Sequence, residues 1–154
     1  MSSFKRFEDI QAWQLGRELT RDVYASTRSG SFSRDRALVD QVRRACISIT
    51  SNIAEGHERR SPRDFARFLT IAKASCAEVR SQLYVALDEA YLSADEFDRL
   101  STLCNRIGAA LAGLIRYLLS APAVSEPDSE YDLSPNAPLP VDSSSPLNPS
   151  TSQP

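Results

Sequence analysis

Ser61-Pro-Arg-Asp-Phe-Ala-Arg-Phe-Leu-Thr-Ile-Ala-Lys-Ala-Ser-Cys-Ala-Glu-Val-Arg-Ser-Gln-Leu-Tyr-Val-Ala-Leu87 is the stretch that decides the fold class. Ser61 is placed to cap a helix N-terminus, and Pro62 brings the fixed φ suited to a first helical position. Asp64 puts a negative charge in the first turn, where the helix dipole favours it. Phe65, Phe68, Leu69, Ala72, Cys76, Val79, Leu83, Ala86 and Leu87 then recur three and four apart, which lays one apolar stripe along a helix. Carried on to about Tyr91, that helix would be about 43 Å long at about 1.5 Å per residue.

The same period continues on both sides. Downstream, Ser93-Ala-Asp-Glu96 has the spacing of a capping box, followed by Phe97, Leu100, Leu103, Cys104, Ile107, Leu111, Leu114, Ile115 and Leu118. Upstream, Leu38, Val42, Ala45, Cys46, Ile49 and Ile53 share one face of a helix expected over about Arg34 to Glu55, with Gly56 as the expected turn or kink. Before it, Ala12, Leu15, Leu19 and Val23 mark a helix from about Phe7 to Arg28, with Gly30 as its expected stop. No segment shows the strict alternation of a half-buried strand. Connections of about 3 to 6 residues between long helices favour antiparallel neighbours. The expectation is all-α: an antiparallel up-and-down four-helix bundle over residues 4–120.

Composition divides the chain at the end of that bundle. Eight of the nine prolines follow residue 121, and eight serines fall in the last 33 residues. All 18 Lys and Arg precede residue 122, against 15 acids there, so the first part carries +3; the remainder carries −5. Residues 121–154 offer too few large apolar side chains to offset chain entropy, so a disordered, Pro/Ser-rich acidic tail is expected.

Several function classes fall away. No apolar leader is visible, and the nearly apolar run Gly108 to Ile115 is far shorter than the roughly 20 residues of a membrane span, so a cytoplasmic protein without membrane contact is expected. Cys46, Cys76 and Cys104 are widely spaced and lie on apolar stripes, which reads as core thiols rather than disulfides. His57 is the only histidine, which excludes a His-rich metal site, and it reads as a surface or loop residue. No phosphate-binding glycine loop, dinucleotide fingerprint or nucleophile elbow occurs. No enzyme, cofactor or metal is expected.

The middle of the chain carries the most specific residues. Beside the apolar stripe of the second helix runs a polar one: Arg44, Ser48, Ser51 or Asn52, and Glu55, each three or four residues from the next. Small residues between them (Ala45, Ser48, Ser51, Ala54) allow another helix to approach closely. Arg59, Arg60, Arg63 and Arg67 come next.

Here the sequence resembles a bacterial four-helix-bundle family, named after proteins encoded in intervening sequences of 23S ribosomal RNA. The match is carried by Arg43-Arg44-Ala45, Ser48, Ser51-Asn52-Ile53-Ala54-Glu55-Gly56, Arg60-Ser61, Phe65 and Phe68-Leu69. The opening Phe7-Glu8-Asp9-Ile10-Gln11-Ala12-Trp13 looks like the family's N-terminal signature, and Ile71-Ala72-Lys73-Ala74-Ser75, Glu78 and Gln82-Leu83 extend the match. Ala74 stands where the family usually has Gly. The resemblance covers about residues 7–119 and implies a ring-like homopentamer. A related branch, the accessory proteins of diversity-generating retroelements, uses a basic ring to bind nucleic acid and a reverse transcriptase. No catalytic residues come with the resemblance.

Two assignments compete for the arginines. Arg43, Arg44, Arg59, Arg60, Arg63 and Arg67 could form a phosphate-binding patch for RNA or DNA, each contact adding salt-dependent affinity. More plainly, they pair with Glu55, Glu58, Asp64 and a neighbouring subunit's acids. For Glu55, Arg44 lies too far along the helix, so Arg43, Arg67 or a neighbour's arginine is the expected partner. Asn52, Glu55, Gly56, Trp13, Phe65 and Phe68 read as structural or subunit-contact residues rather than catalytic groups or base-stacking platforms. The resulting expectation is a non-enzymatic homo-oligomer that acts by binding nucleic acid, or alternatively an unknown protein.

Overall fold

In the computed structural model, residues 4–120 are described; the tail expected over 121–154 lies outside them. Four helices are arranged in order: α1 Gln11–Ser26, α2 Arg36–His57, α3 Pro62–Asp88 and α4 Ala94–Ser120. There is no strand among the described residues. Contacts run α1–α2, α2–α3, α3–α4 and α4–α1, which closes an up-and-down bundle in which α1 and α3 are diagonal. The core holds the predicted stripes, with Leu19, Ile49, Ile53, Leu69, Leu83, Leu100, Ile107 and Leu111 essentially inaccessible to solvent.

Both predicted start signals operate. Ser61 Oγ accepts the Asp64 N–H at 3.4 Å. Ser93 and Glu96 close a reciprocal capping box, the Glu96 N–H donating to Ser93 Oγ at 3.2 Å and the Ser93 N–H to Glu96 Oε2 at 2.9 Å.

The boundaries of α1 and α2 differ from the expected ones, each for a local reason. Phe7–Asp9 forms a 3-10 turn rather than the start of α1, because Ile10 is extended and buried while Phe7 packs edge-on against Trp13 at 5.2 Å. At the other end α1 stops before Gly30 is reached. Thr27 is buried, its hydroxyl donates to the Val23 carbonyl at 2.8 Å, and its own carbonyl accepts from Arg43 at 3.3 Å. Gly30, at φ +73°, turns the connection instead. Asp35, not Arg34, precedes α2 and caps it, accepting the Leu38 N–H at 3.0 Å. Gly56 does not end α2; it is buried inside its last turn, and the helix continues to His57.

The end of α3 shows one local misfit. The Tyr91 N–H donates to the Ala86 carbonyl at 2.8 Å and the Ala90 N–H to Leu87 at 3.0 Å, the bonding of a Schellman stop. That motif places Ala90 at φ +55°, where its Cβ crowds the backbone and glycine is favoured. Tyr91 continues into the core edge, stacked on Phe32 at 5.2 Å with its hydroxyl donating to Asp35 at 3.3 Å. Because Ala90 is exposed, Ala90→Gly removes strain without opening a cavity. We expect it to stabilise the bundle by about 1 kcal/mol, read as a higher urea midpoint at unchanged m-value.

Candidate nucleic-acid interface

The six arginines expected to act together fall into two separate sets along α2. Arg43 and Arg44 lie two turns inside it; Arg59, Arg60, Arg63 and Arg67 lie around its end and the first turns of α3. The fourteen helical positions from Arg43 to the end of α2 at His57 alone amount to about 21 Å.

Arg43 is a structural residue. Its Nε donates to Thr27 Oγ1 at 2.9 Å, and its guanidinium lies 4.4 Å from the centre of the Tyr24 ring. It ties the start of α2 to the end of α1. Arg44 is exposed and bonds Asp40 one turn earlier at 2.9 Å. At the other end, Arg59 bonds Glu55 at 2.6 Å. Glu55 is therefore partnered by the arginine one turn after it, not by Arg43 or Arg67, and it is exposed rather than buried. Arg59 and Arg67 both lie over the Phe68 ring, 4.7 and 5.1 Å from its centre, and Arg67 also approaches Asp64 at 3.9 Å. Arg60 and Arg63 are exposed and form no hydrogen bond or ion pair among the described residues. Arg63, Asp64, Ala66, Arg67, Thr70 and Leu119 line a shallow groove of about 380 Å³.

Asn52 and the serines form a proton-ordered chain across the α2–α3 contact. Asn52 Nδ2 donates to the Ser48 carbonyl at 2.8 Å and to Ser48 Oγ at 3.1 Å. The Ser48 and Ser75 hydroxyls are 2.8 Å apart, and Ser75 donates onward to the Ile71 carbonyl at 3.1 Å. Each hydroxyl proton is used once if Ser48 donates to Ser75. Asn52 thus organises packing, while Phe65 and Phe68 are buried against Gly56. Trp13 is half-buried, with Arg17 5.9 Å from its ring.

His57 is not a loop residue. It ends α2 with little exposure, its ring edge-on to Phe65 at 6.0 Å. The Phe4 carbonyl, 3.1 Å from Nε2, can only accept, so Nε2 carries the proton and fastens the N-terminal segment to α2.

The sequence pattern hid a second arginine group. Arg28, Arg34 and Arg36, within nine residues across the α1–α2 connection and the start of α2, are exposed, and their side chains make no hydrogen bond or ion pair among the described residues. Their density was visible, but only the structure shows that the neighbouring acids are engaged elsewhere.

These arrangements coincide with what the chain is similar to. A sequence profile of the 23S rRNA-intervening sequence proteins matches residues 8–113. The chain belongs to that family. The matched span begins inside the opening turn and contains Asn52 to Gly56 and every arginine discussed above. The bundle is also similar to a crystal structure from Bacteroides thetaiotaomicron, described as a protein with unknown function from the S23 ribosomal protein family. That similarity has a TM-score of 0.63 at 21% identity, covering 68% of this chain and 98% of that one. At such identity the likeness concerns the fold alone. No match was found among curated proteins.

Among the described residues, no three His, Cys, Asp or Glu side chains are grouped to hold a metal, and no helix is long and apolar enough to cross a membrane. The three cysteines are buried. Burial pushes the Cys46 thiol up to about 12. Contact with the Cys76 sulfur, together with burial, raises Cys104 as well. Cys76 Sγ donates to the Cys104 carbonyl at 3.1 Å. The same contact with Cys104 lowers the Cys76 thiol, but all three sulfurs are shut off from solvent, so none should react with a disulfide reagent in the folded protein. All three should titrate in denaturant; a thiol that reacts fast under native conditions would contradict this packing.

Proposed function

We propose that this protein is a non-enzymatic homo-oligomer, pentameric by resemblance to its family, that binds nucleic acid through arginine side chains. The observation that carries this is the presence of exposed guanidinium groups with no internal acid to neutralise them, Arg60 and Arg63 beside the Arg59–Phe68–Arg67 stack. An arginine that stabilises the fold has a partner inside it, as Arg43 does with Thr27 and Tyr24. An arginine exposed without one is free to neutralise phosphate, and releases counterions when it does. The +3 balance of the first 121 residues supports the same assignment. So does a family name that ties its members to 23S rRNA intervening sequences.

A second assignment, an interaction scaffold without nucleic-acid contact, is favoured by exposed apolar side chains on α2 and α3. Ile47, Ile71, Tyr84 and Val85 are each between 42% and 53% exposed. Large apolar groups left in water on adjacent helices suit subunit or partner contacts.

Fluorescence anisotropy of a labelled RNA separates the two. Nucleic-acid binding predicts micromolar or tighter affinity at about 50 mM salt that falls steeply by about 200 mM. Arg60→Glu with Arg63→Glu should weaken it about tenfold or more, and removal of residues 122–154, which takes away five acids, should strengthen it. An oligomer that binds no RNA or DNA at about 50 mM salt, with or without the tail, would leave the scaffold assignment.

A further inference from the structure

Charge along α2 is arranged in a way the six predicted arginines alone do not reveal. Across the middle of the helix the exposed charges cancel: Asp40 bonds Arg44 at 2.9 Å, Glu55 bonds Arg59 at 2.6 Å, and the exposed positions between them are Ile47 and Ser51. Uncancelled charge stands only at the two ends. Beyond the C-terminal end are Arg60 and Arg63, with the exposed Glu58 before them the one acid at that cap. Around the N-terminal end are Arg28, Arg34 and Arg36.

None of the acids near the second group forms an ion pair with it, although Asp35 keeps its negative charge beside them. Asp35 lies between Arg34 and Arg36 in sequence, yet its oxygens accept the Leu38 N–H and the Tyr91 hydroxyl. Asp40 is held by Arg44, and Asp22 by Arg21 and Arg99. Arg43, which fastens Thr27, shares with Arg36 and Ser33 a shallow groove of about 520 Å³. That geometry sets the α1–α2 connection beside the start of α2. The groove is open, and the one acid in its wall, Asp40, is paired with Arg44, so a phosphodiester backbone can pass over it.

We propose that the α1–α2 corner, through Arg28, Arg34 and Arg36, is a second phosphate-contacting surface, and that one nucleic-acid segment lies along α2 and touches both ends. This rests on the nucleic-acid assignment above and adds where and over what length the contact is made. The 22 residues of α2 set the two arginine groups about 33 Å apart. Along one strand of a duplex, at about 3.4 Å per phosphate, that separation is about 10 base pairs. A shorter segment reaches one group only.

The test uses the full-length protein and DNA hairpins with stems of about 6 and about 14 base pairs, spanning about 20 and about 48 Å at the same rise. The wild type should bind the longer stem about tenfold or more tightly than the shorter, with a steeper dependence of log affinity on log salt. Arg28→Gln/Arg34→Gln/Arg36→Gln should remove most of that gain and flatten the salt slope, while still binding the short stem. Arg60→Gln/Arg63→Gln should also remove the gain. All five side chains are exposed, so unchanged circular dichroism is expected, and light scattering checks that the oligomer persists. If the triple variant matches the wild type on the long stem while Arg60→Gln/Arg63→Gln does not, the second surface is overturned and the nucleic-acid assignment stands. If the wild type binds neither stem nor RNA at low salt, both are overturned.

Discussion

Gly56 and the two phenylalanines it faces set the distance at which α2 and α3 pack. A methyl group built on Gly56 would lie 2.7 Å from Phe68 Cβ and 2.8 Å from the Phe65 ring. The first of these is an atom fixed to the α3 backbone, so no rotamer change can relieve it. With no side chain there, α2 continues past the point where a glycine ordinarily suggests a stop, and the first turn of α3 closes onto it. The remaining contacts of the seam depend on that approach. Ser48 and Ser75 come within hydrogen-bonding distance further along it, and His57, one residue past Gly56, reaches the Phe4 carbonyl. Phe68 is positioned so that guanidinium groups from both sides of the α2–α3 turn, Arg59 and Arg67, lie over its ring.

The arginines illustrate how one residue type does different work according to what surrounds it. Arg43 has a hydroxyl, a carbonyl and an aromatic ring within reach, and it functions as a strut between α1 and α2. Arg44 and Arg59 meet acids one turn away, where exposed pairs of this kind contribute no more than about 0.5 kcal/mol each. Those pairs matter more for the field they cancel than for stability. They leave the middle of α2 neutral and concentrate positive potential at its ends, where a polyanion would meet it.

Much of the fold was legible in the residues. Ser61-Pro62 and the Ser93/Glu96 box specify helix starts through local hydrogen bonds alone, and the apolar period specifies which faces turn inward. Helix ends were less legible because tertiary partners decide them. Nothing local to Thr27 says that Arg43, sixteen residues on, will take its carbonyl. A glycine in the sequence does not announce whether it serves a turn, as Gly30 does, or a close approach, as Gly56 does. Ala90 adopts the left-handed conformation without the residue that would have signalled it. At the candidate site the arginine density was plain, but which arginines are neutralised is a question of geometry. Glu55 pairs with Arg59 because α2 runs on through Gly56, and Arg28, Arg34 and Arg36 make no ion pair because Asp35 turns its oxygens to Leu38 and Tyr91 while Asp22 and Asp40 are held by other arginines.

The close approach at Gly56 is tested most directly by comparing Gly56→Ala with Gly108→Ala in urea unfolding. Both glycines lie inside helices, but a methyl on Gly108 meets nothing within 4 Å. Alanine gains about 1 kcal/mol of helix propensity at either position, whereas overlap in a packed contact costs about 1–3 kcal/mol. Gly108→Ala should therefore raise the midpoint and Gly56→Ala should lower it. If Gly56→Ala were as stabilising as Gly108→Ala, α2 and α3 would not be held by the contact at Gly56, and the account of the seam built upon it would be wrong.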